Sequence, residues 1–381
     1  MIQDKKIAIV GGGPGGLTLA RLLQLKNAEV KVYERDINKE VRVQGATLDL
    51  HEKSGLEALR RAGLMDGFKA HYRPDAGKLK VVDKNLNIYL NEHSEKNSHS
   101  EDRPEIDRTP LRKILLESLQ PNTVVWDSHF ISMEKHGEGW LLHFKNGTSY
   151  YADIVIAADG ANSKIRPYIT DIQPIYSGVT MIEGNIYNAE TNSPKIWKLV
   201  EGGKIFALDN EQTLLFSTKE DGTLTFYTGC NTDEHWVKDS GIDFTQKQQV
   251  TDWFKKEYSS WNEIWQELFE SDEISIIPRP QYHYPLDQKW EPLANLTLLG
   301  DAAHRMPPYA GEGVNMAMQD AYELAESLTN DEFKDIKTAI SSYENKMLER
   351  ASEITRLTLE NTVLMHSENA IENLMKVFNG E

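Results

Sequence analysis

The chain has 381 residues, enough for about two domains and for a core that can enclose a large cofactor. Its formal net charge of −17, with no basic stripe to offset it, repels phosphate backbones and anionic lipid and argues against nucleic acid as a partner. A single cysteine, Cys230, excludes an internal disulfide and any CxxC redox or zinc pair.

The amino-terminal MIQDKKIAIVGGG carries an apolar run too short for a signal peptide, and no run of about 18 apolar residues follows anywhere, so no membrane span is expected and the cytoplasm is the expected compartment. Lys6–Val10 reads as a short buried strand that ends in glycine. Leu17, Ala20, Leu23 and Gln24 then follow helical spacing, and Glu29–Glu34 alternates like a second strand, which makes a βαβ unit. Helices are expected over 54–65 and 109–118. Exposed antiparallel strands are expected between 76 and 100, and further strands at 124–126 and 140–144. Residues 154–157 form another short buried strand, and 170–280 alternate strand-like runs with turns. One helix is expected near 245–269, its Phe254, Tyr258, Trp261, Trp265 and Leu268 packing as core rather than around a ligand. Residues 297–299 give a third buried strand of the nucleotide-binding kind, and from Val314 the pattern is mostly helical.

Three stretches carry chemistry. Gly11, Gly13 and Gly16 make a GxGxxG between strand and helix, where bare backbone can approach a pyrophosphate and the helix end supplies N–H donors. Glu34 closes the second strand, where a carboxylate can hold ribose hydroxyls. This combination binds a dinucleotide, with FAD and NAD(P) both open on spacing alone. The second stretch, DGANSKIR (159–166), follows a buried strand; read by itself it is no more than a tight turn. The third, GDAAHRMPPYAGEGVN (300–315), places Asp301 after a strand, stiffens the chain at Pro307 and Pro308, and opens a helix on glycine. His304 there is expected to be packed or capping.

Taken in this order and spacing, the three stretches resemble the single-component FAD-dependent monooxygenases of the aromatic hydroxylase type. With VYERD, GATLDLH (45–51), PEIDRTPLR (104–112) and MPPYAGEGVN, the chain looks most like the tetracycline-inactivating flavin monooxygenases, the tetracycline destructases. The resemblance implies an α/β fold. A Rossmann-like, three-layer FAD-binding domain (1–70, 101–169, 281–330) would be interleaved with a mainly antiparallel β substrate domain (71–100, 170–280) and followed by a C-terminal helical segment (331–381).

It also implies FAD as cofactor, with NADPH as co-substrate and O2 as oxidant. Glu34 and Arg35 would hold the adenosine end, Arg42 would meet NADPH, and Asp49 and Arg112 would contact FAD. Asp301 would bind the ribityl or phosphate region, and Asp159 and Arg166 lie in the motif that touches both FAD and NADPH. Pro308, Gly311, Gly313, Val314 and Asn315 would lie against the flavin edge, where glycine amides at a helix start can stabilise its reduced, anionic form.

Glu183, Lys204 and Thr225 stand where the tetracycline-acting relatives carry a glutamine, an arginine and a histidine. With Phe206 and Tyr309 they are the substrate-contact candidates, and the changed residues alter what would be recognised. The implied reaction is hydroxylation of an aromatic or enolic small molecule, a tetracycline or another phenolic metabolite, through a flavin C4a-hydroperoxide. An FAD oxidase or dehydrogenase without oxygen insertion is the alternative, and a flavin sensor without turnover is a third. A monomer is expected.

Overall fold

A computed structural model describes residues 1–41, 45–94 and 103–379. Five short strands form a parallel sheet in the order 296–298, 154–157, 6–10, 29–33, 124–125. Lys6–Val10 lies at the centre and is buried on both faces, which is why it reads as an unbroken apolar run. Helices Pro14–Leu25 and Gly313–Thr329 pack against each other. Helix Arg108–Glu117 packs on the first of them, and a three-stranded antiparallel sheet (130–136, 139–144, 149–152) covers the flank.

The second body is a seven-stranded sheet in the order 274–283, 175–186, 224–231, 212–218, 204–209, 79–82, 88–91. All its neighbours are antiparallel except 204–209 beside 79–82. Leu79–Val82 is therefore an interior strand with a largely buried face, and the exposed hairpin expected at 76–100 holds only for its partner at 88–91. The mixed α/β architecture is thus the one expected from the sequence.

One face of this sheet carries the aromatic core. Phe216 stacks on Trp265 at 5.4 Å and Phe254 on Tyr258 at 4.6 Å, and all four are buried. Here the single helix expected at 245–269 is corrected. The chain forms an α-helix at Lys247–Glu257, breaks at Tyr258–Asn262, and resumes as a 3-10 helix at Glu263–Phe269. The break lets the Asn262 side chain cap the second piece by accepting the Ile264 N–H at 3.0 Å, while Tyr258, Trp261 and Trp265 still reach one core.

A 30-residue helix, Ile336–Met365, crosses behind the parallel sheet and ends over the other face of the large sheet, where Met365, Ala370 and Leu374 pack with Val81 and Leu208. Among the described residues, no helix is long and apolar enough to cross a membrane, and no group of three or more metal-binding side chains is gathered.

Candidate functional site

The glycine loop shows why no other residue fits it. Gly11 has φ +115°, and a Cβ there would sit 2.1 Å from the Ala158 carbonyl oxygen; a Cβ on Gly16 would sit 2.2 Å from the Gly11 oxygen. Around Gly13 the same construction meets nothing within 4 Å, so the loop is packed from behind and open in front. Gly15 abuts the Ala317 carbonyl oxygen, which brings the starts of helices Pro14–Leu25 and Gly313–Thr329 side by side. No side chain caps either start. Two sets of unpaired N–H groups therefore converge on one cleft, a place suited to an anion.

The acidic residues are arranged around this opening. Glu34 is buried and accepts the Gly12 N–H at 2.5 Å and the Asp36 N–H at 3.0 Å. Its carboxylate braces the glycine loop from behind, besides any ligand it meets. Asp159 accepts the Lys164 N–H at 2.9 Å through Oδ2, and Oδ1 is buried without a partner. Burial pushes its carboxyl up. Asp301 is exposed toward the cleft, and the protein atoms crowded around its carboxyl push it up against the pull of His304, Arg305 and Arg108.

What holds Asp301 in place is a buried ionic cluster. Gly300 sits at φ 60°, ψ −146°, a conformation that essentially only glycine adopts. Its N–H donates to Asp320 at 2.8 Å, His304 Nε2 lies 2.6 Å from the same oxygen, and Arg350 donates to the other oxygen at 2.7 Å. Burial alone would raise the Asp320 carboxyl, but His304, Arg350 and the Gly300 amide hold it below the usual range. His304 is thus a packed, paired histidine.

Other residues singled out in the sequence turn inward. Asn315 is wholly buried: it accepts the His51 N–H at 2.9 Å and donates to the Asp49 carbonyl at 2.9 Å, tying the 49–55 loop to the helix start. Arg166 is buried and donates to the carbonyls of Ala302 and Ala303 and to Gln288, so it joins the DGANSKIR segment to the GDAAH turn. Arg112 donates to Asp36 at 2.9 Å and keeps a buried Nε with no partner.

Arg35 is exposed at the end of the second strand. Asp49 faces Gly311, whose added Cβ would meet its carboxylate at 3.4 Å. Burial would raise the Asp49 carboxyl, yet His51, Lys204 and Arg103 hold it low. Pro308, Gly311 and Gly313 are exposed, while Val314 packs partly into the nucleotide-side core. Arg42 lies outside the described residues.

Four of the substrate candidates, Glu183, Lys204, Phe206 and Thr225, share one face of the large sheet. Register places Glu183 opposite Tyr227, Asn185 opposite Thr225, Thr225 opposite Ser217, Ser217 opposite Lys204, and Leu215 opposite Phe206. This face looks toward the nucleotide side, since Lys204 pairs with Glu105 and the Tyr227 hydroxyl accepts the Ala46 N–H at 3.2 Å. Glu183 is buried and accepts from Arg279 at 3.0 Å and from Asn185 at 3.2 Å; the Asn185 oxygen in turn accepts from Thr225 and Lys219. Phe206 and Tyr309 sit instead in an apolar cluster with the C-terminal helices.

Sequence reasoning missed three residues of this wall. Arg279 and Asn185 belong to strands with no motif. Arg108, four positions before Arg112, holds the Ala46 carbonyl at 2.9 Å and contributes charge at Asp301 and Tyr227. Its place in the PEIDRTPLR stretch was the one available signal.

Residues 4–358 match the model of the FAD-binding domain family, and the chain belongs to that family. Monooxygenase penA of Penicillium thymicola is 28% identical over 431 residues, covering 98% of each chain. The 6-hydroxynicotinate 3-monooxygenase of Pseudomonas fluorescens is 26% identical over 378 residues, covering 97% of this chain and 94% of the other. The crystal structure of tetracycline destructase Tet(55) superposes with a TM-score of 0.78 over 100% of this chain and 95% of that one; at 18% identity this is a likeness of fold.

The residues present fit FAD. Bare glycine backbone and two uncapped helix starts border the opening, and Asp159 and Arg112 each keep a buried polar atom without a partner, an arrangement suited to a pyrophosphate flanked by hydroxyl-bearing sugars.

Proposed function

We propose that this chain is an FAD-dependent monooxygenase that uses NAD(P)H and O2 to hydroxylate a small aromatic or enolic molecule. The carrying observation is the juxtaposition of the two uncapped helix starts with a polar sheet face across one cleft. FAD supplies the redox chemistry and the activated oxygen when bound. The chain's own part is placement. Amides at Gly11–Gly16 would hold the pyrophosphate and Asp301 the ribityl chain. Gly311 and Gly313, bare toward the cleft, would leave room for the ring and let the helix start favour negative charge at its edge.

Glu183, Asn185, Thr225, Tyr227 and Phe206 would then face the substrate, with Arg108 at the boundary between substrate and cofactor. The wall combines a buried carboxylate held by Arg279 with an apolar stretch at Phe206 and Leu215 beside Tyr309, which suits a ring bearing polar substituents. A tetracycline stays within this reading only as one member of a panel, because the carboxylate of Glu183 and the hydroxyl of Thr225 replace the amide and imidazole of the tetracycline-acting proteins.

The test is to purify the yellow protein and follow NADPH and NADH oxidation in air with a panel of phenols, hydroxypyridines and tetracyclines. Substrate-stimulated oxidation with product gaining one oxygen atom supports the proposal. Turnover without oxygen gain would move the chain to the oxidases, and a colourless protein would end the reading altogether.

A further inference from the structure

The proline-rich loop carries Tyr309 away from the parallel sheet and onto the end of the long C-terminal helix. Asn361 donates to the Tyr309 carbonyl at 3.1 Å, and the Tyr309 hydroxyl lies 3.3 Å from His366 Nε2, with the two rings edge-on at 5.1 Å. His366 Nδ1 lies 2.9 Å from the Thr362 carbonyl oxygen. A carbonyl can only accept, so Nδ1 bears the hydrogen. Burial lowers the His366 pKa to about 4, so the ring is neutral near pH 7 and Nε2 offers a bare lone pair. The proton in the Tyr309–His366 bond therefore comes from the tyrosine.

Both groups rest on Gly229, which lies on the same sheet face as Glu183 and Tyr227, in register with Met181 and Thr213. A Cβ on Gly229 would stand 2.4 Å from Thr213 Oγ1, 2.7 Å from His366 Nε2 and 3.2 Å from the Tyr309 hydroxyl. Only glycine lets the helix end and the loop close onto the sheet here. The Thr213 hydroxyl, fully buried, has no partner of its own, so the nook is not saturated from within.

We infer that His366 is a positioning residue that fixes the polarity of the substrate wall: by taking the proton of Tyr309 it leaves the tyrosine oxygen able only to accept, so this end of the site selects a ring bearing a hydrogen-bond donor, an O–H or N–H, over a carboxylate or an ether. The inference rests on the proposed monooxygenase reading and adds the substrate class to it. An acceptor-only oxygen penalises an anion or ether placed against it, since neither side then has a hydrogen to give.

The experiment uses the oxidised, FAD-loaded protein and reads the flavin absorbance change on titration with matched rings: phenol and anisole, aniline and N,N-dimethylaniline, benzoate and nitrobenzene. Wild type should bind the donor of each of the first two pairs about tenfold more tightly, as expected for one buried hydrogen bond. Tyr309→Phe should bring those pairs together with its flavin spectrum and melting temperature retained. His366→Leu, which frees the tyrosine proton, should do the same and also tighten benzoate and nitrobenzene, and in turnover should shift KM more than kcat. Undiminished donor preference in Tyr309→Phe overturns the inference, as does a wild type that fails to discriminate or shows no response to any donor-bearing ring. A protein without flavin or without NAD(P)H turnover overturns the broader proposal instead, so the two failures are told apart.

Discussion

The parallel-sheet side and the large antiparallel sheet meet across one cleft but are built on different rules. On the first, position is dictated by backbone: Gly11 and Gly300 occupy places where a side chain collides or the dihedrals exclude it, and buried polar groups are spent on holding turns. On the second, the strands would tolerate many sequences, and the specific information lies in which side chains the register brings to one face. The first half should therefore be intolerant and general, the second tolerant and selective.

The contrast can be broken most forcefully at Gly11. Gly11→Val places a branched side chain against the Ala158 carbonyl at a positive φ, and should cost more than about 3 kcal/mol and yield protein without flavin; a yellow protein with unchanged melting temperature would remove the case for an intolerant half. Next in size is Asp320→Asn, which strips the charge shared by His304 and Arg350 inside the protein. A loss of about 3–5 kcal/mol, measured by denaturant unfolding, is expected together with weakened FAD retention.

Glu344 gives a smaller effect with a distinctive pH signature. It is buried beneath the sheet, bonded to the Thr297 hydroxyl, and burial pushes its carboxyl up to about 7. The protonated form stabilises the fold fully below its ordinary value of 4.5, and that contribution is lost as pH rises through about 7. Glu344→Gln should flatten this dependence and gain on wild type by roughly 2–3 kcal/mol above pH 8; parallel stability curves for the two proteins would contradict it.

On the selective side, Glu183→Gln should change stability by less than about 1 kcal/mol, because the half-exposed Arg279 returns to water, while the ranking of ring substrates changes. A large drop in melting temperature there, with ranking intact, would erase the distinction between the halves.

The same distinction explains what the sequence could disclose. GxGxxG, DGANSKIR and GDAAHRMPPYAGEGVN were legible because backbone geometry restricts residue type at fixed spacing. Asn315 and Arg166 are singled out by the motifs, but most of their side-chain bonds reach protein carbonyls and amides more than 100 positions away, which spacing does not reveal. Glu183, Lys204, Phe206 and Thr225 fall on one face only through pairings among four strands. Arg279 and His366 had no local signature at all. The helix break at Tyr258–Asn262 was hidden because its aromatics keep helical spacing across a segment that the core, rather than the helix period, holds together.

The helix Ile336–Met365 is a rod of about 45 Å. Near its middle Arg350 bonds Asp320, the carboxylate that holds Gly300 and His304 in the turn presenting Asp301, and His366, just past its last turn, bonds Tyr309. Both ends of the loop between those residues are thus moored to a single strut from the far end of the chain. Proteolytic nicking or loosening near residue 360 would be felt as slack in the 301–309 loop, tens of residues upstream, where the proposed function seats the flavin ring.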